Sequence, residues 1–435
     1  MVTACSACAW LWTGGCRQSD GRRVTHFEPS SDGRVSVSRY PRACSFEDGS
    51  SPWSPFVEHC ADHGNETVSW YENGHVNSAE WRSAGGLRPP KRVDVLETPP
   101  PTDLALRRAA QGVGMLWRAD FPDARRLLSS MSKRLDRTRA EPARDSAARF
   151  YQYRQGRRNR ARVLGMLLVE LGAGPAVDLP RAPDVRAACG EVYGDTVGPR
   201  VVSLRELLGV LSAHRWRRNG IAVPALGARI HPHYGVFPPT RNEYVDLVAA
   251  AEVAAVRTAF DIGTGTGVLA AVLARRGIPR VVATDIAPQA VACARDNVRR
   301  LGMGDRVIVA QADLFPPGRA DLIVCNPPWL TASPSSPLDA AVFDRGGRML
   351  SGFVRGVADH LTVRGEAWLV LSDIAELLDL RTRAQLLGEF DSAGLSVLGR
   401  LDVRPRHPRA RSARGPLAFA RAAEQVSLWR LGAKR

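Results

Sequence analysis

The spacing of apolar positions along this chain changes character twice. Up to about residue 100 it follows neither a 3.6- nor a 2.0-residue period, mixes Ser, Gly, Pro, Trp and Cys, and closes on the linker-like "ETPPPTD". Residues 1–100 therefore read as an irregular N-terminal extension. From about Asp103, "ALRRAAQGVGMLWRADFPDARRLLSSMSKRLDR" sets apolar residues at helical spacing between arginines, and "RARVLGMLLVELGAG" adds a helix that ends in glycines. This pattern predicts a small helical domain over 101–175. In the connecting segment 176–224, Ser203 and Glu206 stand at capping-box spacing before an amphipathic helix, "SLRELLGVLSAHRWRRNG".

An aromatic, proline-rich loop, "HPHYGVFPPTRNEY", precedes the second change. Beyond Thr258, short apolar runs alternate with helical patterns: "TAFDIG", "VLAAVLARRG", "RVVATD", "PQAVACARDNVRRLG", "RVIVAQAD" and "ADLIVCN". That alternation predicts an α/β domain over 225–435 with a parallel sheet and right-handed crossovers. Near the C-terminus "LSVLGRLDVRP" and "QVSLWRL" suit an antiparallel hairpin at a sheet edge.

Composition adds limits. No window reaches the roughly 18–20 consecutive apolar residues of a membrane span, and the start lacks the basic stretch of a secretory signal, so a cytoplasmic protein is expected. The formal charge is +16, but all basic residues except Lys91, Lys133 and Lys434 are arginine, which fits a coding bias as well as a phosphate-binding face. Cys5, Cys8, Cys60 and His63 have zinc-ligand residue types, separated by a long irregular stretch, and no metal is assigned to them.

The chemistry concentrates after Thr258. "FDIGTGTGVLA" places Gly263, Gly265 and Gly267 between a strand and its helix, with Asp261 just before them. Val268 stands where a dinucleotide fingerprint needs glycine, which argues against a nicotinamide dehydrogenase, and no Gly-Lys-Ser/Thr follows to make a P-loop. Asp285 ends the second strand and Asp313 follows the third; acids there can accept from ribose hydroxyls and an adenine amino group, or simply cap helices. The fourth strand ends in Asn326-Pro327-Pro328-Trp329. Neither proline carries an N–H, and Asn326 before proline is pushed to an extended conformation, so the corner is rigid and exposes acceptors.

Glycine turn, acids and Asn-Pro-Pro-Trp box together resemble the class I S-adenosylmethionine-dependent methyltransferases, and within them the small-domain, HemK-like N-methyltransferases. The resemblance covers about residues 225–435 and implies a Rossmann-like seven-stranded sheet of order 3214576, with the 101–175 domain recognising substrate. It implies cofactor contacts at Asp261, Gly263, Gly265, Gly267, Asp285, Ile286, Asp313, Leu314 and Asn326, with Phe237, Thr240 and Arg241 lining the pocket and Arg241 reaching the methionine carboxylate. The implied catalytic corner is Asn326, Pro327, Pro328 and Trp329. An exocyclic or amide NH2 is a poor nucleophile because its lone pair is delocalised. Accepting its two N–H bonds at the Asn326 carboxamide oxygen and the Pro327 carbonyl returns density to nitrogen, while Trp329 offers a flat face.

The segment Asp339 to Phe353 occupies the place of substrate-facing residues, and Cys325 precedes the box in a position unlike that of a base-carbon methylase nucleophile. His231 and His233 read as loop packing. The implied acceptor is a macromolecule: RNA, DNA, or a protein such as a translation factor, with the basic run Arg404 to Pro416 as one phosphate-meeting segment. The competing class is a non-catalytic nucleic-acid-binding or sensor protein that keeps the cofactor fold.

Overall fold

The computed structural model describes residues 66–137, 143–194, 198–334, 336–406 and 415–434. Cys5, Cys8, Cys60 and His63, and most of the basic run after Arg404, lie outside them. Among the described residues no helix is long and apolar enough to cross a membrane, and no group of three or more His, Cys, Asp or Glu could hold a metal.

The first correction concerns residues 67–230, which fold around a mixed sheet. Its strands are β1 (Thr67–Glu72), β2 (His75–Arg82), β3 (Arg92–Leu96), β4 (Val113–Trp117), β5 (Leu167–Leu171) and β6 (Arg200–Ser203), in the order β1-β2-β6-β5-β4-β3. Helices α1 (Thr102–Ala110), α2 (Phe121–Arg137), α3 (Ser146–Leu164), α4 (Arg186–Tyr193) and α5 (Leu204–Asn219) accompany it. Residues 101–175 are therefore not purely helical. β4 has every residue buried and β5 all but one, and runs of that length carry no period that separates a strand from a helix.

Nor is the stretch before residue 100 irregular throughout. β1 and β2 form a hairpin through Asn73 and Gly74, both at positive φ (52° and 81°), which is the turn chemistry that Asn-Gly supplies. Val68, Trp70, Ala79 and Trp81 fill its inward face. The expected capping box is also absent. Ser203 makes no side-chain cap bond; the Glu206 carboxylate instead accepts from Ser83 Oγ and Ala84 N (both 2.7 Å) and from Tyr193 Oη (2.8 Å).

A short hairpin, β7 (Ile221–Val223) with β8 (Ala228–Ile230), and α6 (Glu243–Ala250) lead into the second sheet. This sheet contains β9 (Thr258–Ile262), β10 (Arg280–Asp285), β11 (Val307–Gln311), β12 (Ala320–Cys325), β13 (Leu361–Ser372), β14 (Leu395–Val403) and β15 (Val426–Ala433). Its order is β11-β10-β9-β12-β13-β15-β14, or 3214576 when β9 is counted as the first strand; β15 runs antiparallel to both neighbours. The helices are α7 (Val268–Arg275), α8 (Pro288–Arg300), α9 (Pro337–Ala340), α10 (Arg348–His360), α11 (Ile374–Leu377), α12 (Arg383–Ser392) and α13 (Ala418–Ala423).

The central strands are mostly apolar because they are covered on both faces, with Asp261 and Thr284 as buried polar exceptions. Ala259, Val281, Leu322 and Val324 pack with α6 and α7, whereas Phe260, Ile262, Ile323 and Cys325 pack with α10 and α12. α3 joins the apolar cluster of the loop after β12: Phe150 packs with Leu330 and Phe343, and the Arg154 guanidinium lies 3.5 Å from the Phe343 ring centroid. Arg154 also pairs with Asp339 at 3.1 Å, both side chains less than a tenth exposed.

One carboxylate fixes the start of α7. Gly267, its N-cap, has φ +80° and no side chain to cap with. Asp261, 1% exposed on β9, supplies the missing acceptor: its Oδ2 takes the Ala270 N–H at 2.9 Å and the Thr264 hydroxyl at 2.6 Å. Burial lifts this carboxyl from its ordinary 3.8 to about 6, against those two bonds.

Two outcomes are expected. The folded chain holds the Asp261 proton to higher pH than the unfolded chain, so this stability is complete below 3.8 and lost as pH rises through about 6. Wild type should lose up to about 3 kcal/mol relative to Asp261→Asn across that window, at about 1.4 kcal/mol per pKa unit, in denaturant titrations on either side of it. Arg154→Met leaves Asp339 buried without its cation and should cost about 3–5 kcal/mol in the same assay, most of it recovered by adding Asp339→Leu.

Candidate active site

Strand register brings the sequence motifs together. Cys325 on β12 pairs with Ile262 on β9, so Asn326 and Gly263 leave the sheet side by side at its carboxyl edge; Thr284 pairs with Ile262 from the other side, which places Asp285 next to the same turn. The order reverses between β9 and β12, and a crevice opens there in open α/β sheets.

All three glycines of the turn have positive φ, each for a separate reason. A Cβ on Gly263 would stand 2.3 Å from Met349 Cε, and one on Gly267 3.2 Å from the Ala294 backbone of α8, but one on Gly265 would meet nothing within 4 Å. Gly265 therefore faces open space, a backbone surface that a ligand can approach. Thr264 N donates to Thr284 O at 2.8 Å, and Gly265 N donates to Asp285 Oδ2 at 2.9 Å.

Asp285 also accepts Ala287 N at Oδ1, 3.0 Å away. The carboxylate retains acceptor capacity beyond these backbone bonds, an acceptor pair that suits vicinal ribose hydroxyls. Burial raises this carboxyl's pKa while the bonds from Ala287 and Gly265 lower it. Next to it Ile286 leaves 63% of its surface open, an apolar face that fits a nucleobase. Asp313 is exposed just beyond β11, and Leu314 follows at φ +68°, its carbonyl accepting from Thr284 Oγ1 at 2.5 Å. These residues fit an adenosine-type cofactor.

Two expected cofactor contacts are engaged elsewhere. Asp261 is buried and occupied with Thr264 and Ala270, so it shapes the turn from behind. Arg241 binds the Glu424 carboxylate at 3.3 Å, and its guanidinium lies 5.6 Å from the Trp329 ring centroid. Glu424, nearly fully buried, also accepts from Ser372 Oγ at 2.9 Å. Thr240 is half-buried, as is Phe237, and the Thr240 N–H donates to Pro238 O at 2.7 Å.

In the acceptor corner, Trp329 Nε1 donates to Asn326 Oδ1 at 3.0 Å. The bond orients the carboxamide and uses one of the two lone pairs of its oxygen. Trp329 is anchored in turn by contact with three apolar clusters. Pro327 is buried and Pro328 half-buried. Leu330 pairs with Phe343, and Leu330 O accepts Asp344 N at 2.9 Å, folding the following loop back onto the corner.

Asp344 and Met349 carry no motif, yet both shape the site. Asp344 Oδ2 accepts from Met349 N (2.8 Å) and Leu350 N (3.3 Å) at the start of α10, and Met349 covers Gly263. The signal available in the sequence was their place in the Asp339–Phe353 segment. Burial pushes the Cys325 thiol well above its ordinary pKa, with Asp261 and Asp344 adding to the effect, so it is no nucleophile. His231 Nδ1 lies 2.6 Å from Arg217 O and His233 Nε2 3.2 Å from Asp296, as packing residues do.

The family described as "Methyltransferase small domain" matches residues 229–388. The chain is 35% identical over 188 residues to a release factor glutamine methyltransferase of Cereibacter sphaeroides (39% of this chain, 65% of that protein). It is 36% identical over 138 residues to the tRNA1(Val) (adenine(37)-N6)-methyltransferase of Bacteroides thetaiotaomicron (30% and 58%). Against methyltransferase HEMK2 of Mus musculus it is 31% identical over 172 residues (34% and 80%). The chain thus spans less than two thirds of the length of the first two of these curated relatives. On the glycine turn, the box and these matches, the chain belongs to the small-domain, HemK-like group of class I S-adenosylmethionine-dependent methyltransferases.

Proposed function

We propose that this chain is an S-adenosylmethionine-dependent N-methyltransferase acting on a planar NH2 nitrogen of a macromolecule. The reading is carried by the Asn326 carboxamide, held by the Trp329 indole at the end of β12 beside the glycine turn. S-adenosylmethionine, when bound, supplies an activated methyl group. Asp285 would hold its ribose, Ile286 and Leu314 its base with Asp313 at the rim, and Gly263, Gly265 and Gly267 allow the backbone approach.

The free lone pair of Asn326 Oδ1 and the Pro327 carbonyl would accept the two N–H bonds of the acceptor amine and aim its nitrogen. Trp329 would cover the planar group, with Arg241 and Glu424 keeping the indole in place. The relatives support this chemistry, since their names span a glutamine side chain and adenine N6, both planar amines.

Asn326→Ala should leave S-adenosylhomocysteine binding near wild type by calorimetry while methyl transfer falls about a hundredfold or more, measured as label moved from the cofactor into macromolecular fractions of a lysate. Unchanged transfer would remove Asn326 from the mechanism. Asp285→Asn should behave oppositely, weakening S-adenosylhomocysteine binding about 10- to 100-fold through loss of a charged acceptor worth about 1.5–3 kcal/mol.

A further inference from the structure

Beside the loop that follows the acceptor corner, a cavity of about 660 Å³ opens between α10 and α12, with Thr331, Ser351, Arg355, Arg381, Gln385 and Glu389 among its walls. Arg381 Nε and Nη2 are buried there and meet no hydrogen-bond partner among the described residues. These atoms lie along one edge of the guanidinium, the edge whose two parallel N–H bonds match two oxygens of one phosphate or carboxylate. Two acids lie near enough to act on Arg381 electrostatically without bonding it: Glu376, which pairs with Arg383 at 2.9 Å, and Glu389 on the cavity wall, which accepts from Ser351 Oγ at 3.4 Å. Two buried guanidinium N–H groups left without bonds on a half-buried arginine work against folding, so their presence needs another explanation.

The surface around the same loop indicates which anion. α3 carries Arg149, Arg154, Arg157, Arg158, Arg160 and Arg162 and not one Asp or Glu. Asp339 and Asp136 pair with Arg154 and Arg160. Arg158 donates to Ser333 O at 3.0 Å, in the loop beside the corner, and Arg149 and Arg162 donate to Ala143 O and Ala110 O. Carbonyl partners leave those charges in place. Tyr151, 53% exposed on the same helix, adds a face on which a base can stack. Basic track and aromatic face match a phosphodiester chain with unstacked bases better than an acidic peptide.

We infer that the cavity is a phosphate subsite for an RNA acceptor, with Arg381 gripping one backbone phosphate through Nε and Nη2, Arg355 as a second cation and α3 extending the track. The word acceptor rests on the methyltransferase reading; the binding itself does not. RNA is favoured over duplex DNA because the corner takes an unpaired base, which RNA loops present and a duplex must extrude.

The test uses the full chain and a fluorescein-labelled single-stranded RNA of mixed sequence, with duplex DNA and polyglutamate as competitors. Arg381→Met should weaken RNA binding several-fold at fixed salt and flatten the slope of log K against log salt by about 0.7, the single-strand value for one phosphate. Its thermal midpoint should equal or exceed that of wild type. Arg158→Gln should also flatten the slope. A lower midpoint for Arg381→Met would give Arg381 a structural role and overturn the inference, as would an unchanged slope, or duplex DNA or polyglutamate binding as tightly as RNA. S-adenosylhomocysteine calorimetry on the same preparations separates the two readings: cofactor binding without RNA binding sinks the subsite alone, and RNA binding without cofactor binding sinks the methyltransferase reading alone.

Discussion

The buried Asp261 carboxylate is the constraint on which the site is built. α8 approaches the turn so closely that residue 267 must be glycine, and a glycine N-cap has no side chain for the first amides of α7. The acceptor has to come from another element, and β9 supplies it from directly beneath the turn. The solution fixes several things together: where α7 begins, how Thr264 is held, and which way the peptide at Gly265 faces. Asp285 anchors Gly265 from the neighbouring strand, so two acids from adjacent strand ends grip one glycine loop. Strand register does the rest, since Ile262 has Thr284 on one side and Cys325 on the other.

The acceptor corner depends on a different kind of support. Asn326 is oriented by Trp329, Trp329 is covered by Arg241, and Arg241 is held by Glu424, which Ser372 fixes at the end of β13. The hydrogen bonds and the ion pair in this chain measure 2.9–3.3 Å, the arginine lies 5.6 Å from the indole centroid, and the final carboxylate is nearly fully buried, so displacement at one end is opposed at the other. α3 adds an outer brace through Phe150, Arg154 and Arg158, all of which meet the loop after Trp329. Residues far upstream in sequence thereby bear on the geometry of a corner that the family match alone would assign to 229–388.

What could be read from the sequence divides along physical lines. The second sheet is legible because helical patterns separate most of its short apolar runs, and because the glycine turn and the Asn-Pro-Pro-Trp box mark one edge of it. The first sheet is not: β4 is buried at every residue and β5 at all but Glu170, runs without alternation that a helix period surrounds. The β1–β2 hairpin did carry its signal, Asn-Gly between alternating residues, submerged in an otherwise irregular composition. At the site the glycines, Asp285 and the Asn-Pro-Pro-Trp box come together as expected. Arg241 and Asp261 mislead because their residue types suit a ligand equally well, and only the partners that folding brings near, Glu424 and Ala270, decide otherwise. Asp344 and Met349 act through a helix start and a contact across the chain, and neither leaves a pattern in sequence.

The net charge of +16 also takes on a different meaning in three dimensions. Near the glycine turn stand Asp285 at the end of β10, Asp261 buried behind the turn and Asp344 at the start of α10, charges compatible with a cofactor that carries a sulfonium and no phosphate. Six arginines lie on α3, of which Arg154 and Arg158 meet the loop after the corner, and Arg355 and Arg381 line the cavity beyond Thr331. An even spread of arginine from coding bias would not leave a nineteen-residue helix beside the acceptor corner with six arginines and no acid. On the proposed reading the two fields would suit two ligands of opposite charge, one on each side of the Asn326–Trp329 corner. Such segregation would let one small region attract a cationic cofactor and, if the acceptor is the proposed RNA, a polyanion, without either being drawn into the other's place.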